Sequence, residues 1–342
     1  GKIMAGTERV NGHRPSGLSN ILEPNMSSSN KPLREDFSFD LDIALASVVK
    51  ITSNVPQDAF SAKTLGTSRE GSAISINDSG ILLTIGYLVV DSDTIFLHLK
   101  NGRTIEATLI AYHHESGLAL IQALSKTDMP FIPQVNKDNL KKGDSVIIAT
   151  SGGIDKSISA TVVDRRQFAG SWEYMIDNAI FTKPFHPEWS GAALINEGGY
   201  LSGVGSLWLN DAEKVDDDSP GNMFVPINLL TPIYEDLLAH GQAKEPHRPW
   251  LGIYVAENME NLFISGVTLK GPAYMAGLNA GDILTTVNGK QVDSLPKLYR
   301  VLWSHGNAGV EFVLTLIREG TEMEIRVKSD SRYNFISKRH NH

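Results

Sequence analysis

Between residues 71 and 207 the chain breaks into short apolar runs separated by turn residues, and this rhythm limits the folds open to it. Strand-length runs fall at 73–76, 81–84, 94–99, 104–110, 117–121, 145–149, 157–163, 172–176, 192–195 and 201–207. Turn signals lie between them: Asn77-Asp78-Ser79-Gly80, Asn101-Gly102 and Lys142-Gly143-Asp144. Asn-Gly is the strongest of these, because both residues accept the positive φ of a tight hairpin. No long helical pattern alternates with the runs, so a parallel βαβ sheet is excluded and a sandwich or barrels are expected. Two helical stretches frame the region. Residues 43–51 read as a short helix passing into a strand. Residues 226–241 read as a helix with Leu229, Leu230, Ile233, Leu237 and Leu238 at helical spacing and Gly241 as its stop.

A second unit begins at Trp250, after a polar linker at 244–249 with two prolines nearby. It offers strands at 251–255, 263–269, 310–317 and 321–327. A helix at 294–303 is capped by Ser294 and carries Pro296 in its first turn. Residues 1–36 read as a flexible leader rich in Ser, Asn and Gly, and residues 331–342 as a polar, frayed tail. The 342 residues, 41% hydrophobic and 20% charged, suit a globular chain of two or three domains. The net charge of −8 argues against a nucleic-acid footprint. The absence of cysteine excludes disulfides, thiolate chemistry and Cys-based zinc sites. No run is long and apolar enough to cross a bilayer, and residues 1–6 lack the apolar core of a signal peptide.

The stretch with chemical character is Phe185-His186-Pro187-Glu188-Trp189-Ser190-Gly191, followed at once by the apolar run 192–195. Serine hydrolysis needs a loop-borne hydroxyl beside backbone N–H groups that can hold an oxyanion. A Ser-Gly pair permits that turn, though it also suits an ordinary turn before a strand. Other motifs agree with the first reading. Glu70-Gly71-Ser72-Ala73-Ile74-Ser75, Leu99-Lys100-Asn101-Gly102, Leu118-Ala119-Leu120-Ile121 and Phe224-Val225-Pro226-Ile227-Asn228 resemble successive elements of the HtrA/Deg family. Gly277-Leu278-Asn279-Ala280-Gly281-Asp282-Ile283-Leu284 resembles its PDZ domain. The resemblance spans about residues 37–330. It implies a mostly β fold, two six-stranded barrels of trypsin type at 37–243 followed by a PDZ domain at 250–330. It also favours a periplasmic or otherwise extracytoplasmic location, and no cofactor or metal.

Aligned on those motifs, the triad is incomplete. Where the family reads Thr-Asn-Ala-His-Val-Val, this chain reads Thr84-Ile85-Gly86-Tyr87-Leu88-Val89, so Tyr87 stands at the position of the base. Where the family reads Thr-Asp-Leu-Ala, it reads Ser116-Gly117-Leu118-Ala119, so Gly117 stands at the orienting acid. Ser190 alone is kept, at the nucleophile position. A serine hydroxyl needs an adjacent base near neutral pH. A phenol with an ordinary pKa of about 10 is a poor acceptor there. In a well-studied triad, loss of the base alone costs roughly a million-fold in turnover. Glu188 stands where the family has a glycine of the oxyanion turn, and Trp189 and Trp208 are bulky enough either to fill a cleft or to pack a core. His186, His113 and His114 leave two alternatives open: a rewired base beside Ser190, or a metal site. The acidic loop 210–219 lacks the glycine spacing of a calcium site and reads as solvated.

The PDZ-like groove is better kept. Trp250, Leu251, Gly252 and Ile253 resemble the loop whose N–H groups hold a peptide's terminal carboxylate. Tyr254 and Val255 continue the strand that pairs with the peptide, and Leu298 walls the groove. The expected function is peptide or protein binding, scaffolding or quality control by a proteolytically inactive homologue. The alternative is an active endopeptidase with a rewired or partner-induced site. The expected partners are peptide C-termini or extended polypeptide. By resemblance, Phe37 and Phe39 suggest a homotrimer, or a hetero-assembly with an active relative.

Overall fold

The computed structural model describes residues 30–59, 61, 65–214, 218–244 and 246–340, with side chains to 336. Most of the expected leader, and Asp216 and Asp217 of the acidic loop, lie outside the described residues. The chain divides into two compact units. The first holds residues up to Gln167 and Asp177–Ala243; the second holds Phe168–Ile176 and everything from Lys244.

In the first unit, helix α1 (Leu41–Ala46) is capped by the Asp40 carboxylate, which accepts from the Ile43 N–H, and leads directly into β1 (Val48–Asn54). Strands β2 (Ser68–Ser75), β3 (Ile81–Ile85), β4 (Thr94–His98), β5 (Thr104–Tyr112) and β6 (Leu118–Ala123) complete a closed six-stranded barrel in the order β1-β2-β3-β6-β5-β4. As the Asn-Gly signal predicts, β4 and β5 pair antiparallel, with Gly102 at φ +87°. A second closed barrel is built from β7 (Ser145–Ala149), β8 (Ile158–Gly170), β9 (Tyr174–Lys183), β10 (Ala193–Ile195), β11 (Leu201–Leu209) and β12 (Gly221–Pro226), in the order β10-β11-β12-β9-β8-β7. Its interior is filled by apolar side chains, with Ile148, Ile158, Val162, Ile180, Leu194 and Phe224 all buried.

The helix expected over 226–241 is interrupted. A 3-10 turn occupies Ile227–Leu229, and α2 spans only Tyr234–His240, ending on Gly241 at φ +74°. Pro232 explains the gap: it donates no N–H and turns the residue before it away from helix.

The second unit is a sheet of order β13-β14-β15-β17-β18, with β16 on β15. The strands are β13 (Ile253–Asn258), β14 (Asn261–Val267), β15 (Ile283–Val287), β16 (Lys290–Gln291), β17 (Glu311–Arg318) and β18 (Thr321–Lys328). Helix α3 is Pro272–Ala276. Helix α4 is Leu295–Ser304, capped by the Ser294 hydroxyl, which accepts from the Lys297 N–H. The sequence predicts a frayed tail, but the chain forms α5 (Arg332–His340). Phe335 holds it, buried with its ring 4.9 Å from that of Trp250. Two aromatics in a polar stretch are a weak sequence signal; the Tyr333 ring packs on His247 at 4.7 Å beside the buried Phe335.

Candidate functional site

The Ser190 loop is held from below by backbone contacts. The Ser190 carbonyl accepts the Ser72 N–H at 2.9 Å, and the Gly191 N–H donates to the Gly205 carbonyl at 3.0 Å. Gly191 is required here: its φ is +74°, and a Cβ would stand 2.1 Å from the Ser72 carbonyl oxygen. Ser190 and Tyr87 line one cavity of about 350 Å³ together with Arg69, Gly71, Glu188 and Ser151.

The three residues singled out for the triad come together. Tyr87 packs edge-on against Trp189, the neighbour of Ser190, with ring centroids 6.4 Å apart. Gly86, beside Tyr87, donates its N–H to the Gly117 carbonyl at 2.6 Å, and Gly117 adopts φ +84°. The Tyr87 hydroxyl donates to the Ser206 carbonyl at 3.0 Å. Among the described residues no hydrogen bond reaches the Ser190 hydroxyl.

The histidines do not gather. His186 is fully buried. Its Nε2 pairs with the Lys156 carbonyl at 2.7 Å, and its Nδ1 accepts the Glu188 N–H at 3.0 Å. A carbonyl only accepts, so the proton sits on Nε2 and both ring nitrogens are engaged. His113 instead contacts Ser116 at 2.7 Å and Glu115 at 3.2 Å, while His114 stacks on Tyr112. Among the described residues no group of three or more His, Asp or Glu side chains is placed to hold a metal ion. Trp189 and Trp208 are buried core residues, Trp208 packing against Phe185 at 5.7 Å.

Sequence reasoning missed Arg69. Its buried guanidinium donates to the carbonyls of Tyr87, Val90 and Gly66 and to the Ser61 hydroxyl at 2.8–3.1 Å. Burial pulls its pKa down to about 10, so it stays charged at neutral pH. It clamps the turn that carries Tyr87.

In the second unit the predicted carboxylate loop is already satisfied. The N–H groups of Leu251, Gly252 and Ile253 donate to the Glu173 carboxylate at 2.9, 2.9 and 3.1 Å. Trp250 exchanges backbone hydrogen bonds with Asp330, at 2.9 and 3.0 Å. Tyr254 and Val255 straddle a bulge in the pairing of β13 with β14, and the Val255 N–H donates to the Ser171 carbonyl. Leu298 is fully buried in the core of this unit. Burial pushes the Glu173 carboxyl above the usual range, and Arg332 and the three N–H donors pull the other way. The sequence placed Glu173 within the first domain, and its contacts nearly eighty positions away left no local signal.

Comparison with known proteins gives this geometry its context. Residues 71–204 match the trypsin-like peptidase domain family, and residues 249–329 match the PDZ domain family. The chain is 29% identical over 275 residues to the probable periplasmic serine protease do/HhoA-like of Haemophilus influenzae, covering 75% of this chain and 57% of that protein. It is 27% identical over 274 residues to the periplasmic serine endoprotease DegP of Escherichia coli, covering 75% and 56%. The chain is thus similar to HtrA-type serine proteases across a trypsin-like region and one PDZ region. It spans little more than half the length of those two relatives. Its fold resembles the serine endoprotease from Yersinia pestis, with TM-score 0.50, 23% identity, and 90% and 99% of the two chains covered. It also resembles the HtrA-type protease AlgW with decapeptide, with TM-score 0.51, 18% identity and the same coverages. The fold is therefore the expected one, a trypsin-like pair of barrels and a PDZ domain. No helix among the described residues is long and apolar enough to cross a membrane.

Proposed function

We propose that this chain is a proteolytically inactive HtrA homologue whose work is to bind peptide or extended polypeptide. The observation that carries this reading is the bonding of His186. Its Nε2–H is committed to the Lys156 carbonyl and its Nδ1 to the Glu188 N–H, so it supplies no base to Ser190. Tyr87, which the alignment puts at the base position, points its hydroxyl proton at the Ser206 carbonyl. Gly117, at the position of the orienting acid, has no side chain, and the nearby Glu115 carboxylate contacts His113 at 3.2 Å. The Glu188 N–H, the donor that the family's oxyanion turn would offer, faces His186 instead.

The rival reading is an active serine endopeptidase, favoured by relatives whose names describe serine proteases. A fluorophosphonate probe and a casein assay on the pure protein, with Ser190→Ala as control, separate the two. No Ser190-dependent labelling or cleavage is expected. Covalent labelling lost in S190A would overturn the proposal. The names of two relatives also support an extracytoplasmic location. The half-buried Phe37 and Phe39, with rings 5.3 Å apart, support a self-association role. A trimer mass by analytical ultracentrifugation that falls to monomer in Phe37→Ala/Phe39→Ala is expected, and a monomeric wild type would refute it.

A further inference from the structure

The second unit contains a segment that sequence order assigns elsewhere. Residues Phe168–Ile176, the end of β8, the turn and the start of β9, cluster with the PDZ domain. Ala169 and Met175 pack against the core of that unit. The turn makes three kinds of contact. Its Glu173 carboxylate takes the three N–H groups of residues 251–253. Its Ser171 carbonyl takes the Val255 N–H of β13 at 2.9 Å. Tyr299 of α4 donates its hydroxyl proton to the Gly170 carbonyl and accepts the Glu173 N–H at 3.0 Å. The segment therefore touches the N–H loop, the strand and the helix, which are the three walls a peptide would use.

Glu173 itself is in a costly conformation. Its φ is +57°, in the left-handed region where Gly or Asn is favoured and other residues are strained. It is also buried with its carboxyl group. A turn alone would be better served by glycine. What Gly lacks is a carboxylate, and here that group satisfies three otherwise unpaired donors.

We infer that Glu173 is an internal ligand of the PDZ domain, standing in for a peptide's terminal carboxylate, and that a free C-terminus binds only by displacing it. This rests on the peptide-binding reading above. A tethered competitor acts at an effective concentration of about a millimolar. The apparent affinity for an outside peptide falls by the fraction of molecules with the groove vacated. The ligand class is a peptide with a free α-carboxylate, whose two acceptor oxygens reproduce what Glu173 gives residues 251–253. An amidated end offers one acceptor oxygen in place of two.

The test uses the full chain and two variants. Glu173→Gly removes the carboxylate and relieves the positive φ; Glu173→Gln keeps the side chain and replaces one acceptor oxygen by a donor. Hydrogen–deuterium exchange of fragments spanning 251–255 reports on the donors directly. Exchange there should quicken at least tenfold in both variants. In parallel, a fluorescently labelled C-terminal peptide library is titrated. The variants should bind its best members at least tenfold more tightly than wild type, with the gain lost when the peptides are amidated. Unchanged exchange at 251–255 in both variants would overturn the inference, as would equal carboxylate-dependent affinity in all three proteins. Faster exchange with no peptide bound by any protein would uphold the internal ligand and defeat the peptide-binding reading.

Discussion

His186 separates two explanations of the Ser190 loop at the level of one imidazole. If the ring is a structural strut, His186→Ala leaves the Lys156 carbonyl without its donor inside a packed interior. The expected cost is about 2–3 kcal/mol of stability, read as a lowered midpoint in urea. Ser190 should be as unreactive after the change as before it. If the ring were a base, the same substitution would abolish reactivity that wild type shows. Arg69 allows a second test. Arg69→Met strips the carbonyls of Tyr87, Val90 and Gly66 of their shared donor, and we expect a loss of about 3 kcal/mol by the same measurement. The candidate positions Ser190, Tyr87 and Gly117 were legible in the sequence because each lies in a short local motif that resembles one of the family's. The roles of His186 and Glu173 were not. Their partners, Lys156 and residues 251–253, are distant in the chain, and nothing local marks the bond.

Among the elements, short strands and hairpins were readable because their signals are local: alternating burial along β4 and positive φ at Gly102. The interruption of 226–241 is also local, set by Pro232 between the 3-10 turn and α2. The tail was different. Helix α5 is anchored in a polar stretch by the buried Phe335 ring, with Tyr333 on His247 and Arg332 donating to the Trp172 carbonyl. Phe335→Ala should cost about 3 kcal/mol and release the helix, seen as loss of exchange protection over 332–340. Unaltered protection would show that some other contact holds α5. Ser294→Ala should cost about 1 kcal/mol by removing the cap of α4.

For the whole molecule, the chain passes from the first compact unit to the second at Lys244, and the second also takes in 168–176, because a contact-defined unit need not be contiguous in sequence. Acid should act on the second unit through Asp282. The buried carboxylate accepts two hydrogen bonds from Arg318 at 2.8 Å and one from the Asn279 N–H at 2.9 Å. The hydrogen bond from Arg318 is the main cause holding its pKa below the usual carboxylate value. The folded value is the lower one, so its stabilisation is complete above about pH 5 and is lost as pH falls through the depressed value. Wild type should thus lose stability below about pH 4 more steeply than Asp282→Asn. That variant should be weaker by about 1.5–3 kcal/mol at pH 7. Parallel acid profiles of the two proteins would count against this account.

The phenol of Tyr87 reaches across to cap the carbonyl of Ser206, an oxygen left over where β11 bulges against β12. An imidazole installed at residue 87 is shorter and would strand that oxygen. It would also face a glycine turn at 117 whose backbone resists a carboxylate side chain. On the proposed reading, a working relay would need residues 87 and 117 changed together, since the first change strands the Ser206 oxygen and the second forces a side chain onto a positive φ.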